Sequence, residues 1–228
     1  MPPVTWLLSV AYLCRDVYQN TPVTREMDVL GIHDFRYGTD YGCAYVTPGT
    51  VYVCIRGTDS WTDWISNLSA ILRDTWYGLR AHRGFTHGAR ATRYNVMKIV
   101  SLHTEKRIVF CGHSRGGAIA LLLAIAAEHQ YPETIVQCVT FGQPRVSNKS
   151  MIRERFHGEY IRVQNGSDFV CRYPKLGYSH GGTCLYIAVN GKKSVNPSQY
   201  IRWKDRLFNI FSRYSAHSMN EYIRGLKA

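Results

Sequence analysis

The chain has 228 residues, of which 45% are hydrophobic and 19% charged, the balance of a globular protein with enough apolar content to bury a core. That length suits one domain spanning 1–228, and no run reaches the ~18 apolar residues needed for a membrane-spanning helix. Lysine and arginine exceed aspartate and glutamate to give a net charge of +12, which excludes an acidic solvating chain and leaves an anionic surface as the natural partner.

In chain order, residues 4–13 are apolar, yet no Lys or Arg precedes them and no small-residue cleavage site follows. Their pattern continues into Cys14, Arg15, Asp16 and Tyr18, which predicts a first amphipathic helix and no signal peptide. Residues 43–47 and 51–55 are β-branched or aromatic and flank Pro48-Gly49, predicting a hairpin. Residues 88–102 have helical spacing, 107–111 read as a strand, and 118–127 as an almost unbroken apolar helix. A strand at 135–141, a short polar helix at 149–156 and a strand at 160–163 follow. Residues 184–189 read as the last strand, and the tail from Ala216 as helical. Strands alternating with helices predict an α/β fold, a mostly parallel central sheet flanked by helices on both faces.

The seven cysteines are scattered. Cys54, Cys111 and Cys138 fall inside buried strands, where a thiol behaves as a small apolar group, and no Cys-x-x-Cys pair predicts a metal or redox motif. Free thiols suit a reducing, intracellular compartment. The positive charge is concentrated late: residues 145–228 carry 15 basic against 5 acidic side chains, and residues 1–144 carry 13 against 11. Each Lys or Arg near anionic lipid contributes about 1 kcal/mol, so peripheral contact with an anionic membrane is expected. Nucleic acid is a less suitable partner, since its aromatic and glycine-rich recognition signatures are missing.

The chemical signal is Gly112-His113-Ser114-Arg115-Gly116-Gly117-Ala118. A Gly-x-Ser-x-Gly match alone is weak, but here a predicted strand enters it and an apolar helix leaves it, the setting of a nucleophile elbow. Such a turn sets the serine at a helix N-terminus, whose unpaired N–H groups favour a developing oxyanion. A serine nucleophile needs a base, and the base an orienting carboxylate. Two aspartates follow Ser114. Asp168 lies just past a strand and the turn Asn165-Gly166-Ser167, where a triad acid belongs; Asp205, between Lys204 and Arg206, reads as a member of an exposed ion pair. Of the four later histidines, His129 ends the helix after the nucleophile and His157 a polar helix. His180 and His217 both remain candidates, and spacing alone does not separate them.

These residues resemble the class 3 lipase family, whose members include fungal triacylglycerol lipases and plant phospholipases of the A1 type. Val53-Cys54-Ile55-Arg56-Gly57-Thr58-Asp59-Ser60 is similar to its Phe-Arg-Gly-Thr/Ser segment, and His82-Arg83-Gly84-Phe85 to its His-x-Gly-Phe. Thr140-Phe141-Gly142-Gln143-Pro144-Arg145-Val146 resembles its Phe-Gly-x-Pro-Arg-Val. Ile161-Arg162-Val163 through Asp168-Phe169-Val170 to Tyr173-Pro174 resembles its Arg-Val…Asp-x-Val, and Tyr178-Ser179-His180-Gly181-Gly182 its non-catalytic His-x-Gly. The resemblance implies an α/β-hydrolase fold, a lipid ester as substrate, no metal or organic cofactor, and a triad of Ser114, Asp168 and His217. It implies oxyanion donors at the backbone of Thr58 and Arg115, with the Thr58 hydroxyl as a third, and leaves His180 to brace the loop around the acid.

The resemblance also sets a short lid helix near 60–68. Trp61, Trp64, Ile65 and Leu68 follow the i, i+3, i+4, i+7 spacing of one helical face, suited to cover an acyl groove. Arg115 departs from the family, which has Leu, Met or Gln after the nucleophile. Its guanidinium is expected at the mouth of the site, where it would pair with phosphate or carboxylate. The alternative from another class is a catalytically silent hydrolase scaffold that binds anionic membranes or nucleic acid through its basic C-terminal third.

Overall fold

The computed structural model describes residues 1–19, 27–38, 40–57, 73–166, 168–207 and 215–228. In chain order its elements are α1 (Val4–Asp16), β1 (Gly31–Tyr37), β2 (Asp40–Val46), β3 (Thr50–Ile55), β4 (Arg73–Trp76), β5 (Leu79–His82) and α2 (Arg83–Ser101). There follow β6 (Arg107–His113), α3 (Arg115–Gln130), β7 (Val136–Phe141), α4 (Lys149–Arg155), β8 (Glu159–Asn165), β9 (Thr183–Ile187), β10 (Lys193–Val195), α5 (Gln199–Leu207) and α6 (Met219–Lys227). The expected lid, with Trp61, Trp64, Ile65 and Leu68, and the Thr58 oxyanion donor lie outside the described residues.

Eight strands form one sheet in the order β1-β2-β3-β6-β7-β8-β9-β10, while β4 and β5 pair separately. Strands β3, β6, β7, β8 and β9 run parallel; β1, β2 and β10 are antiparallel at the two edges. The near-continuous apolar run in β6 reflects cover on both faces. Ile108 and Phe110 enter a core with α2 and α3, and Val109 and Cys111 a second core with α1 and α6. Helix α3 is buried from Gly116 to Ala127, as an all-round apolar helix must be. Burying each of its leucine or isoleucine side chains contributes about 1.5–3 kcal/mol. Helix α6 starts on a serine N-cap: the Ser218 side chain accepts the Glu221 N–H at 3.3 Å.

The predicted hairpin, the strands around the nucleophile motif and the apolar helix after it all form, within a few residues of their expected ends. Residues 184–189 do not hold the last strand, because β10 follows. Strand β1, the β4–β5 hairpin and helix α5 have no counterpart among the elements expected from the sequence. Their signals are weak for a physical reason. In the edge strand β1, Phe35 is buried while Ile32 faces solvent, and on α5 Tyr200, Ile201 and Trp203 are exposed, so neither element presents a buried apolar stripe.

All seven cysteines are buried and none is in a disulfide. Cys54 and Cys111 oppose each other across β3 and β6, and with Cys14 of α1 they bring three sulfurs within 4.8 Å of one another. No helix among the described residues is long and apolar enough to cross a membrane.

Candidate active site

Strand β6 runs into Ser114, whose φ of 55° and ψ of −129° lie where a residue with a Cβ is strained. The surroundings hold it there. Its N–H donates to the Phe141 carbonyl at 2.9 Å, and its own carbonyl accepts the Gly117 N–H at 3.0 Å. A Cβ on Gly112 would fall 2.6 Å from the Gly116 backbone, and one on Gly116 would collide with the Ile55 carbonyl. The two motif glycines are therefore demanded by the close approach of β3, β6 and α3.

Ser114 Oγ lies 2.8 Å from His217 Nε2, and His217 Nδ1 lies 2.8 Å from Asp168 Oδ2. All three side chains are buried. The structure thus brings together the serine, acid and histidine implied by the resemblance, from segments 49 and 103 residues apart. His217 sits on a 3₁₀ turn, Ser215–His217, directly before α6. That helix returns Tyr222 to the acid: its hydroxyl donates to Asp168 Oδ2 at 2.6 Å and accepts the Asn165 N–H at 3.2 Å. The second carboxylate oxygen, Oδ1, accepts the Val170 N–H at 2.9 Å. Burial, and then the negative Asp168 beside it, raise the Tyr222 pKa well above 10.0, so the hydroxyl stays a donor.

A further chain of bonds was invisible in the sequence. His113 Nε2 lies 2.6 Å from the His217 carbonyl, and its Nδ1 lies 2.8 Å from the Tyr18 hydroxyl, which also accepts the Gly57 N–H at 3.1 Å. With Nε2 donating and Nδ1 accepting, every bond in the chain is satisfied by a neutral ring. Burial, and secondarily the nearby His217, push the His113 pKa well below 6.5. The segment after α1 is thereby tied to the catalytic turn and to the backbone one residue before Thr58. A Cβ on Gly57 would lie 3.3 Å from Ser114 Cβ, so this backbone is packed against the elbow.

Arg115 opens α3, where its backbone N–H has no intrahelical acceptor and is available to an oxyanion. Its side chain departs from expectation. The guanidinium pairs with Asp40 and reaches toward the Gly84 carbonyl at 3.4 Å, and both charged groups are largely buried. A residue 75 positions away in sequence supplies the counter-charge, so this side chain is not a headgroup-binding cation at the mouth of the site. Asp205 is half-buried rather than exposed, and it accepts from the Tyr186 hydroxyl at 2.8 Å and from the Val189 N–H. His180 reaches the Cys171 carbonyl at 2.6 Å, within the turn that follows Asp168. His157 is exposed beside Glu128, and His129 packs on Tyr77, both away from the serine. Among the described residues, three sulfurs close enough to hold a metal occur at Cys14, Cys54 and Cys111, inside the apolar core.

Residues 52–178, more than half the chain, match the family model described as Lipase (class 3). A phospholipase A1-II 1 of Oryza sativa is 27% identical over 199 residues, covering 73% of this chain and 50% of that protein. The toxin TseL of Vibrio cholerae is 32% identical over 99 residues, 43% of this chain and 15% of that protein. The chain therefore spans half or less of the length of these relatives. A triacylglycerol lipase from Penicillium expansum superposes with a TM-score of 0.72 at 19% identity, covering 86% of this chain and 84% of that one. The triacylglyceride lipase of Rhizomucor miehei gives 0.70 at 20% identity, covering 84% and 83%. These superpositions establish the α/β-hydrolase fold, and the family match completes the assignment: the chain belongs to the class 3 lipase family.

Proposed function

We propose that this chain hydrolyses lipid carboxylic esters through an acyl-enzyme on Ser114. His217 takes the serine proton as Oγ attacks the ester carbonyl, then returns it to the leaving alcohol. Asp168 orients the imidazole and stabilises its charged form. The N–H groups of Arg115 and Thr58, with the Thr58 hydroxyl, hold the tetrahedral oxyanion, and each such donor contributes about 10²–10³ in turnover. Water activated by His217 releases the fatty acid. The observation that supports this most strongly is the unbroken line from Ser114 Oγ through both ring nitrogens of His217 to Asp168, with 2.8 Å at each step.

The likeness to relatives named phospholipase A1 and triacylglycerol lipase supports glycerolipids as the substrate class. The spacing of Trp61, Trp64, Ile65 and Leu68, with the family resemblance, assigns these residues to a lid over the acyl groove. The enzyme works inside the cell, at the surface of anionic membranes. The basic late segment and the exposed Tyr200, Ile201 and Trp203 of α5 support that contact, since aromatic rings favour the bilayer interface.

Labelling by a fluorophosphonate and hydrolysis of p-nitrophenyl butyrate, by wild type and Ser114→Ala, test the chemistry. Label and hydrolysis are expected in wild type and absent in the variant. A folded wild type that does neither overturns the proposal and leaves a silent scaffold.

A further inference from the structure

Apart from the catalytic line, the most unusual feature is a cavity of about 860 Å³ behind the loop that follows Asp168. Six cationic side chains line it: Arg145, Lys149, Arg162, Arg172, Lys175 and Arg202. No Asp or Glu is among the described residues that line it. This cavity gathers much of the charge excess of residues 145–228. A surface that merely aids solubility would intersperse both signs.

Arg162 and Arg202 are held in place by neutral groups. Arg162 is 6% exposed, and its Nε donates to the Gly181 carbonyl at 2.7 Å. Arg202 donates to Gln164 Oε1 at 2.9 Å and to the Pro197 carbonyl at 3.2 Å. Every one of these partners is neutral. Lys175 lies over the Tyr173 ring. A desolvated guanidinium without a counter-ion costs several kcal/mol, so a chain that keeps one here, beside five more cations, has built a place for an anion. The field is felt by His180 on the cavity wall. Burial, then the charges of Arg162, Arg145 and Arg202, push its pKa well below 6.5.

The rim identifies the kind of anion. Leu176, Val195, Tyr200, Ile201 and Trp203 are exposed large apolar residues. Each is the chain neighbour of a cavity-lining residue: Lys175, Asn196, Gln199 or Arg202. Tyr200 and Trp203 stack on one another along α5. A basic cavity whose rim is apolar and aromatic suits an anion that arrives attached to a bilayer. Guanidinium forks favour the paired oxygens of phosphate, and six cations call for more than one phosphate group.

We propose that this cavity binds the polyphosphorylated headgroup of a membrane lipid, with the α5 aromatics seated at the bilayer surface. The inference rests on the membrane-contact reading above and is independent of the catalytic one. The cavity docks the protein, and the ester cleaved at Ser114 belongs to another lipid molecule.

The test uses full-length Ser114→Ala protein, so that hydrolysis does not consume the vesicles. It is sedimented with phosphatidylcholine vesicles containing either phosphatidylinositol 4,5-bisphosphate or phosphatidylserine at matched surface charge. The bisphosphate vesicles are expected to bind at least about tenfold more tightly, with inositol hexakisphosphate competing for the site. Lys149→Gln, Lys175→Gln and Arg202→Gln are each expected to weaken that binding by about tenfold, the loss expected for one charge-assisted contact. Lys192→Gln/Lys193→Gln, outside the cavity, should leave it unchanged. Trp203→Ala should lose vesicle binding and keep inositol hexakisphosphate binding. Equal binding to both vesicle types, unaffected by the cavity variants, would leave general membrane contact standing and overturn the headgroup site. Binding of inositol hexakisphosphate without any vesicle binding would overturn the membrane-bound source.

Discussion

Tyr222→Phe isolates the support of the triad acid with one atom. The hydroxyl makes a 2.6 Å donation to Asp168 Oδ2 and a 3.2 Å acceptance from the Asn165 N–H, beside a longer 3.9 Å contact with Cys171 Sγ. The first is charge-assisted and contributes about 1.5–3 kcal/mol; losing the second leaves a half-buried N–H with a penalty of about 1 kcal/mol. Asp168 then keeps its Val170 N–H and His217 contacts but loses the donor that aligns Oδ2 with the imidazole. If most of the first contribution is felt in the transition state, where the imidazole is charged, kcat falls about 10–100-fold. KM changes less than about twofold, since the hydroxyl does not face substrate. The stability loss of about 2–4 kcal/mol lowers Tm by about 2–4 °C per kcal/mol for a chain of this size. Steady-state hydrolysis of p-nitrophenyl butyrate, with a thermal melt alongside, reads both. Unchanged kcat in a variant whose Tm has dropped would refute the claim that Tyr222 acts through the acid and leave it a packing role only.

Arg115→Leu removes the cation from a buried pair and strands Asp40. A loss of about 3–5 kcal/mol is expected from urea unfolding, with most of it recovered in Arg115→Leu/Asp40→Asn; equal losses in both proteins would show that the pairing contributes nothing. The neutral rings of His113, which is buried, and His180, which is half-buried, set the pH response. Their folded pKa values lie well below 6.5, so the unfolded chain takes up two protons that the folded chain refuses. Stability present above pH 6.5 is therefore lost as the pH falls, at about 1.4 kcal/mol per pH unit for each ring. Urea titrations at pH 7.5, 6.0 and 5.0 check the slope, and an unchanged midpoint across that range would contradict it.

The parts of the fold legible in the sequence were those buried on both faces. Strand β6 and helix α3 have no solvent side to dilute their apolar pattern, and the glycines between them record a close approach of backbones. Edge elements such as β10 and α5 carry no such record. Choosing between His180 and His217 required the family resemblance, because a base is defined by distance in space and the two lie on similar loops. The roles of Tyr222, His113 and Tyr18 are not legible in the sequence because they lie in partners 54, 104 and 95 residues away. For His113 the one hint was its place inside the nucleophile motif. Arg115 misled for the same reason: local sequence suggests an open cation, and Asp40 closes it.

The tie that joins Tyr18, His113 and the His217 carbonyl has a consequence for timing during synthesis. Ser114 lies 103 residues from its base, and loops of that size close late because contacts so distant in sequence must first meet the entropy of closure. While the chain is still emerging, the elbow can form from β3, β6 and α3, all of which precede residue 131. The serine then waits without a base until residue 217 has been made and its turn docks on His113. A nascent chain therefore displays its nucleophile in an inert state, and competence arrives in one late step, when both ends of the described fold have met.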